Sequence, residues 1–227
     1  MSERTKVAGN AGFAFMSEAA NVLLTMIGGI VSARYLGRAG FGAYSFAVGA
    51  VWLAMALTDL GMSTLITREV ARDRSLTGRY LPANLGLRLT IGTILAAVLI
   101  ALSPFISPNA AAASALRLMS LSLVLVPLGA YFVFFRATER LDLAAAVQIA
   151  QKAALTGGII VAAKFGFGLT GIIAANLAGS AVAAVLAFAL LPVCGARAGI
   201  SFESKIWREL ASRGLPFFAM SILSEVY

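Results

Sequence analysis

Five ionisable side chains, Glu18, Asp59, Arg88, Lys152 and Glu225, stand inside stretches otherwise too apolar to carry charge. A charge at membrane depth is costly. It ordinarily lines a cavity or a solute pathway, or pairs with an opposite charge on a neighbouring helix. Helical rise puts Glu18 at about 10 Å, Asp59 at about 12 Å, Lys152 at about 14 Å and Glu225 at about 16 Å from the near ends of their stretches, with Arg88 at about 8 Å. All five therefore fall in the same half of a bilayer, as the lining of a polar vestibule would. Lys152 shares a polar face with Gln148 and Gln151. The plain structural alternative is that Lys152 pairs with Asp59 or Glu18, and that Arg88 snorkels to the surface. Asn21 and Asn176 fit hydrogen bonds between helices.

Catalysis finds little support in the same residues. The chain has no histidine and one cysteine, Cys194, which excludes imidazole acid–base chemistry, a Ser-His triad, an internal disulfide and any His or multi-Cys metal site. No paired carboxylates and no nucleophile–base spacing stand out. Gly166-Phe167-Gly168 follows no strand, so it is a turn and not a phosphate loop. Neither an enzyme nor a cofactor or metal site is expected.

The elements that must hold these residues follow from composition. Of 227 residues, 60% are hydrophobic and 12% charged, against about 45–50% and about 25% in a soluble domain. A soluble core of this size could not bury so much apolar surface, and an all-α integral membrane protein remains. Six spans of about 20–25 residues are expected, at about Gly12–Tyr35, Phe41–Thr67, Ala83–Ile106, Ala111–Phe135, Leu143–Phe165 and Leu169–Pro192. The first is too long for a signal peptide, whose apolar core is about 7–15 residues. Turns are expected at Gly37-Arg38-Ala39-Gly40 and Gly166-Phe167-Gly168. A charged loop is expected from Arg68 to Arg79, a helix end at Ser103-Pro104 and Ser107-Pro108, and a kink at Pro127. Gly28-Gly29, Gly157-Gly158 and Ala178 to Ser180 fit close helix packing.

Three parts are expected: a six-helix transmembrane lobe at 1–193, an amphipathic connector at 194–213, and the start of a seventh helix at 214–227. Trp207 and Arg208-Glu209 suit a surface helix at the inner leaflet. The last apolar stretch, 14 residues from Gly214 to Tyr227, is too short to span, so the sequence is read as part of a longer protein. Twelve of the 18 basic residues fall in segments on the N-terminal side of the membrane and four on the other. That asymmetry puts the N-terminus in the cytoplasm of a multi-pass plasma-membrane (inner-membrane) protein. The net charge of +8 has the same origin, since no basic run is long enough to track a nucleic acid.

Several short motifs are familiar. Arg34-Tyr35-Leu36-Gly37-Arg38-Ala39-Gly40-Phe41-Gly42-Ala43-Tyr44-Ser45 between the first two spans resembles the turn of the polysaccharide-export (O-antigen) flippases of the multidrug/oligosaccharidyl-lipid/polysaccharide exporter superfamily. Asp59-Leu60-Gly61 with its basic tail through Thr67-Arg68-Glu69, Gly166-Phe167-Gly168-Leu169-Thr170-Gly171 and Gly214-Leu215-Pro216-Phe217 are similar to that family's later junctions. The resemblance implies a MATE-like bundle of two six-helix lobes, of which this chain carries the first. It further implies alternating access for a polyprenyl-diphosphate-linked oligosaccharide. Lys152 and Arg88 would hold the diphosphate. Glu18 and Asp59 would set cavity polarity or take part in ion coupling, and Asn21, Gln148 and Gln151 would complete the lining. The implied partners are the lipid bilayer, the lipid-linked substrate and polysaccharide polymerase or export machinery. Rival readings are a drug or metabolite cation exporter of the same superfamily and a non-transporting membrane assembly subunit. A lipid-linked glycosyltransferase would need a larger extramembrane loop than any present.

Overall fold

The computed structural model describes residues 3–129, 134–135, 138, 140–194 and 199–226, with side chains from residue 17 to 192 and from 199 to 220 of these. Eight α-helices are described: α1 (Glu3–Asp59), α2 (Met62–Arg72), α3 (Thr77–Ile106), α4 (Ala110–Ser120), α5 (Ser122–Leu128), α6 (Leu141–Phe165), α7 (Gly168–Leu190) and α8 (Ser204–Val226). Short 3-10 turns occupy Arg74–Leu76 and Leu191–Cys194. Among the described residues there is no strand.

Among the described residues, five stretches are long and apolar enough to cross a membrane: Ser17–Arg72, Arg74–Ile106, Ala110–Leu128, Leu141–Phe165 and Gly168–Leu190. Six were expected, and the difference lies at one glycine. The first two expected spans are a single 57-residue helix interrupted at Gly37, whose φ of 65° only glycine adopts without strain. Unbroken, that helix would reach about 85 Å, far beyond the hydrocarbon core. A straight rod would hold residues 31 and 44 about 20 Å apart. Here Val31, Tyr35, Leu36 and Tyr44 gather round Ile159 and Ile172, so the chain folds back at Gly37. The expected four-residue turn contracts to one residue.

Other boundaries also move. The second limb of α1 stops at Asp59, because Leu60 and Gly61 are both left-handed (φ 45° and 73°). The residues beyond form α2, which takes in the expected end of the second span to Thr67 and the first five residues of the expected charged loop. Met62, Leu65, Ile66 and Val70 make its buried stripe, at the three- and four-residue spacing of an amphipathic helix. Helix α3 starts earlier than expected, at Thr77, but ends at Ile106 as expected, running through Pro104 with Ser107 as its cap. The fourth span breaks at Leu121, ahead of Pro127. Proline has no N–H for the carbonyl four residues earlier, which here is Leu123 O. That oxygen crowds Gly92 on α3, where an added Cβ would lie 2.2 Å from it. At the α6–α7 turn Gly166 is left-handed as expected (φ 75°) and α7 starts at Gly168. Helix α8 continues unbroken through Arg213-Gly214.

Of the glycine pairs, one member each does the packing. Gly28 abuts Thr156 and Ile159, and Gly158 abuts Ala175, while Gly29 and Gly157 face open space. Gly179 lies against the Gln151 carbonyl. The two main cores are separate. One joins α2, α3, α6, α7 and α8 around Phe135, Leu85 and Leu210. The other joins the second limb of α1 to α3, α4, α5 and α7 around Val51, Leu116 and Ile173.

Candidate functional site

Glu18, Asn21, Val22, Thr25 and Met26 follow one another at intervals of three, one, three and one, which is one stripe of a helix. The first limb of α1 turns that stripe outward, and Lys152 of α6 stands beside it. Together these six residues line an open groove of about 290 Å³. The two helices run parallel and are laced at successive heights. Asn21 Nδ2 donates to Gln148 Oε1 (3.4 Å) and Thr156 Oγ1 donates to the Leu24 carbonyl (3.0 Å). At the far end the Gly168 N–H donates to Tyr35 Oη (2.8 Å). This lacing fixes the depth at which Lys152 meets α1, close to mid-helix.

Neither Lys152 nor Glu18 is in an ion pair among the described residues. Asn21 is buried, and its Oδ1 has no hydrogen-bond partner. The groove thus offers a cation, a carboxylate and apolar Val22 and Met26 side by side. It can hold a solute that presents an anionic group, hydroxyls and an apolar flank. Gln148 reaches the groove only through Asn21. Gln151 is half-buried and is absent from the lining. Val22, Thr25 and Met26 were not picked out from sequence. Their three-and-four spacing from Glu18 is the signal that could have found them.

Asp59 and Arg88 are placed elsewhere, against each other. Arg88 Nη2 lies 2.6 Å from Asp59 Oδ1, and the Ser63 hydroxyl donates to the same oxygen. The Arg88 side chain is 13% exposed, so it does not snorkel. The pairing of Lys152 with Asp59 does not occur, because Arg88 takes that carboxylate. One turn before Arg88, Asn84 is fully buried with both amide atoms unpartnered, as is Arg88 Nε. The side chain of Glu225 lies outside the described residues.

The pair sits at an elbow that α8 covers. Gly61 and Gly214 meet backbone to backbone: an added Cβ would lie 2.4 Å from Gly214 O at the first and 2.6 Å from Leu60 O at the second. Beside this contact Glu209 Oε1 accepts from Tyr80 Oη (2.7 Å) and Glu209 Oε2 from Arg79 (3.2 Å). Arg213 bridges Glu69 (3.1 Å) and Glu209 (3.3 Å). The Tyr80 hydrogen bond, then Arg79 and Arg213, hold the Glu209 carboxyl below the usual carboxylate range, against the opposing effect of burial.

A family model described as polysaccharide biosynthesis protein matches residues 7–227. No curated protein matches. Among solved structures, the chain is similar to a MOP superfamily transporter from Pyrococcus furiosus Vc1 (DSM3638), noted for the reverse polarity of its binding pocket. The TM-score is 0.70 at 17% identity, over 89% of this chain and 49% of that one. It is also similar to a proline-to-alanine mutant of a MATE protein (TM-score 0.65, 18% identity, 91% and 50%) and to MATE in a bent conformation (0.63, 17%, 91% and 50%). At these identities the likeness is one of fold, an all-helical MATE-like bundle. The chain spans about half the length of each of these structures.

Proposed function

As the chain belongs to the polysaccharide biosynthesis protein family, we propose that it is the first lobe of a membrane flippase that exports a lipid-linked oligosaccharide. The lobes rock about a central site and open it to each side in turn, as is usual for transporters built from repeated bundles. The groove between α1 and α6 is one wall of that site. Lys152 holds the diphosphate of a polyprenyl-diphosphate carrier, Glu18 and Asn21 face the glycan, and Val22 and Met26 border the lipid. The observation that carries this reading is Lys152 itself: a mid-helix ammonium on an open groove, with no ion-pair partner among the described residues. An unpaired base at the helix centre costs about 2.5–3.5 kcal/mol on the insertion scale, and a bound diphosphate would offset that cost.

Lys152→Ala in the full-length protein is expected to abolish export of surface polysaccharide, with abundance in the membrane near normal. Lys152→Arg should retain part of the activity because the charge remains. If Lys152 only balances Glu18, Lys152→Ala lowers abundance, and adding Glu18→Gln restores both abundance and export; that rescue would overturn the substrate role. The open carboxylate of Glu18 is the one feature that favours a cation exporter. In that case Glu18→Gln alone stops transport while Lys152→Ala leaves it intact.

A further inference from the structure

We propose that the outer faces of α2 and α8, with the segment leading into α8, form a docking surface for the anionic phospholipid headgroups of the adjoining leaflet. Five basic side chains project there from adjacent elements: Arg68 and Arg72 on α2, Arg74 just after it, and Lys205 and Arg208 on α8. All five are exposed, and none is in an ion pair among the described residues. The acids nearby are already engaged. Glu69 and Glu209 are held by Arg213, Arg79 and Tyr80, and Asp73 caps the Ser75 N–H (2.9 Å). Glu203, turned toward Ser201, and Asp73 are left exposed and out of the ion pairs. Five unpaired cations against these two carboxylates leave the surface with a net positive charge.

A second feature tells a lipid surface from a soluble anion. Ile200 (50% exposed) and Phe202 (67% exposed) stand out beside the basic residues. Their backbone is pinned in place. The Ser201 N–H donates to the Pro82 carbonyl (3.0 Å), and Ser201 O crowds Gly86 of α3 and accepts from Trp207 Nε1 (3.2 Å). The Trp207 ring meets Phe202 edge-on, with centroids 5.7 Å apart. Pro82 and Gly86 lie in the first turns of a spanning helix, so the two apolar side chains are held at the depth where headgroups give way to acyl chains. Apolar residues there with cations beside them are the pattern of an interfacial anchor. A soluble phosphate would have no use for Ile200 and Phe202. Each basic residue near an anionic surface strengthens attraction to that surface about fivefold, the equivalent of about 1 kcal/mol.

The test uses the full-length protein carrying Trp52→Phe and substitutions of any tryptophan outside this sequence, so that Trp207 is the only reporter. It is reconstituted in vesicles of phosphatidylcholine and phosphatidylglycerol in equal parts, with bromine on the chains of one lipid or the other. Brominated phosphatidylglycerol is expected to quench Trp207 several-fold more strongly than brominated phosphatidylcholine. Lys205→Gln with Arg208→Gln and Arg72→Gln should remove that preference: quenching by phosphatidylglycerol falls and quenching by phosphatidylcholine rises until the two are equal, which also shows that Trp207 still meets the bilayer. Phe202→Ser should weaken quenching by both lipids. Equal quenching in the parent protein, or a preference that survives the triple substitution, would overturn the proposal. So would its loss to inorganic phosphate at an ionic strength where chloride has no effect, because the surface would then be a site for a free anion.

Discussion

The groove between α1 and α6 and the elbow between α1 and α2 contain the same chemistry arranged in opposite ways. Each sets a carboxylate and a base on neighbouring helices at comparable depth, Glu18 with Lys152 and Asp59 with Arg88. At the elbow the two are locked together at 2.6 Å, the carboxylate also accepts from Ser63, and α8 is packed close by through the Gly61–Gly214 contact. In the groove no ion pair forms and the space stays open. A buried pair that is satisfied within the chain holds helices in place. A charge at the same depth left without a partner is available to a solute. Residue type and depth alone cannot separate the two roles; only the third dimension does.

The contrast can be broken most severely at the elbow. The Arg88 and Asp59 side chains are 13% and 27% exposed, so removing one partner strands the other at somewhat less than the cost of about 3–5 kcal/mol for a fully buried pair. Asp59→Ala is therefore expected to deplete folded protein from the membrane, since Arg88 already has an unpaired Nε beside an unpartnered Asn84. Replacing both by apolar residues of similar size, Asp59→Leu with Arg88→Met, should recover most of the abundance. Thermal unfolding in detergent, measured alongside the Lys152→Ala protein, checks both statements. If Asp59→Ala keeps its abundance and loses only export, the elbow belongs to the transport pathway and the distinction drawn above fails.

A smaller effect is expected at the glycines that fit α8 against the elbow. A Cβ on Gly61 would collide with backbone of α8, and its φ of 73° is strained for any other residue. Overpacking of this kind costs about 1–3 kcal/mol, with about 1–2 kcal/mol more for the left-handed backbone. Gly61→Ala should thus lower the melting temperature clearly. Gly29→Ala, where nothing lies within 4 Å, should leave it unchanged or raise it slightly. Equal behaviour of the two would mean that the α8 contact adds nothing to stability.

The fold class was legible because it depends on composition and on the lengths of apolar runs, which no tertiary contact can alter. The reversal at Gly37 was legible as a turn, but not its sharpness, because a single left-handed glycine can do what four turn-forming residues suggest. Helix α2 was divided between the end of the second span, drawn to Thr67, and a loop from Arg68. Its charges at Arg68, Glu69 and Arg72 mask a buried stripe that the three-and-four spacing of Met62, Leu65, Ile66 and Val70 does encode. Lys152 was singled out by its isolation in an apolar run, and the structure sets it with Glu18 and Asn21 in one groove. That Arg88 would take Asp59 and leave Lys152 open was not legible, since two bases and three acids of similar depth permit more than one pairing. Long-range geometry chose among them. The meeting of Asp59-Leu60-Gly61 with Gly214-Leu215-Pro216-Phe217 was hidden for the same reason.

The mildest way to sharpen the comparison is by pH, at the polar network that joins α8 to α2 and α3. Glu209 has its carboxyl held below the ordinary range by Tyr80, Arg79 and Arg213. A carboxyl with a depressed folded pKa binds fewer protons in the folded state than in the unfolded one, so its contribution to stability is complete above the unfolded value. That contribution is lost as pH falls through about 4.3 and on toward the lower folded value. Stability should therefore decline across that acidic window in the parent protein. Because the network is partly exposed, with side chains 31% to 54% accessible at Glu209, Arg213 and Arg79, solvent and salt screen it and the change is small. Glu209→Gln keeps a hydrogen-bond acceptor for Tyr80 and removes the titration, so its melting temperature should start slightly lower at neutral pH and fall less on acidification. Melting curves of both proteins from neutral to acidic pH, at low and high salt, decide the matter: parallel curves at low salt would show that Glu209 has no part in holding α8.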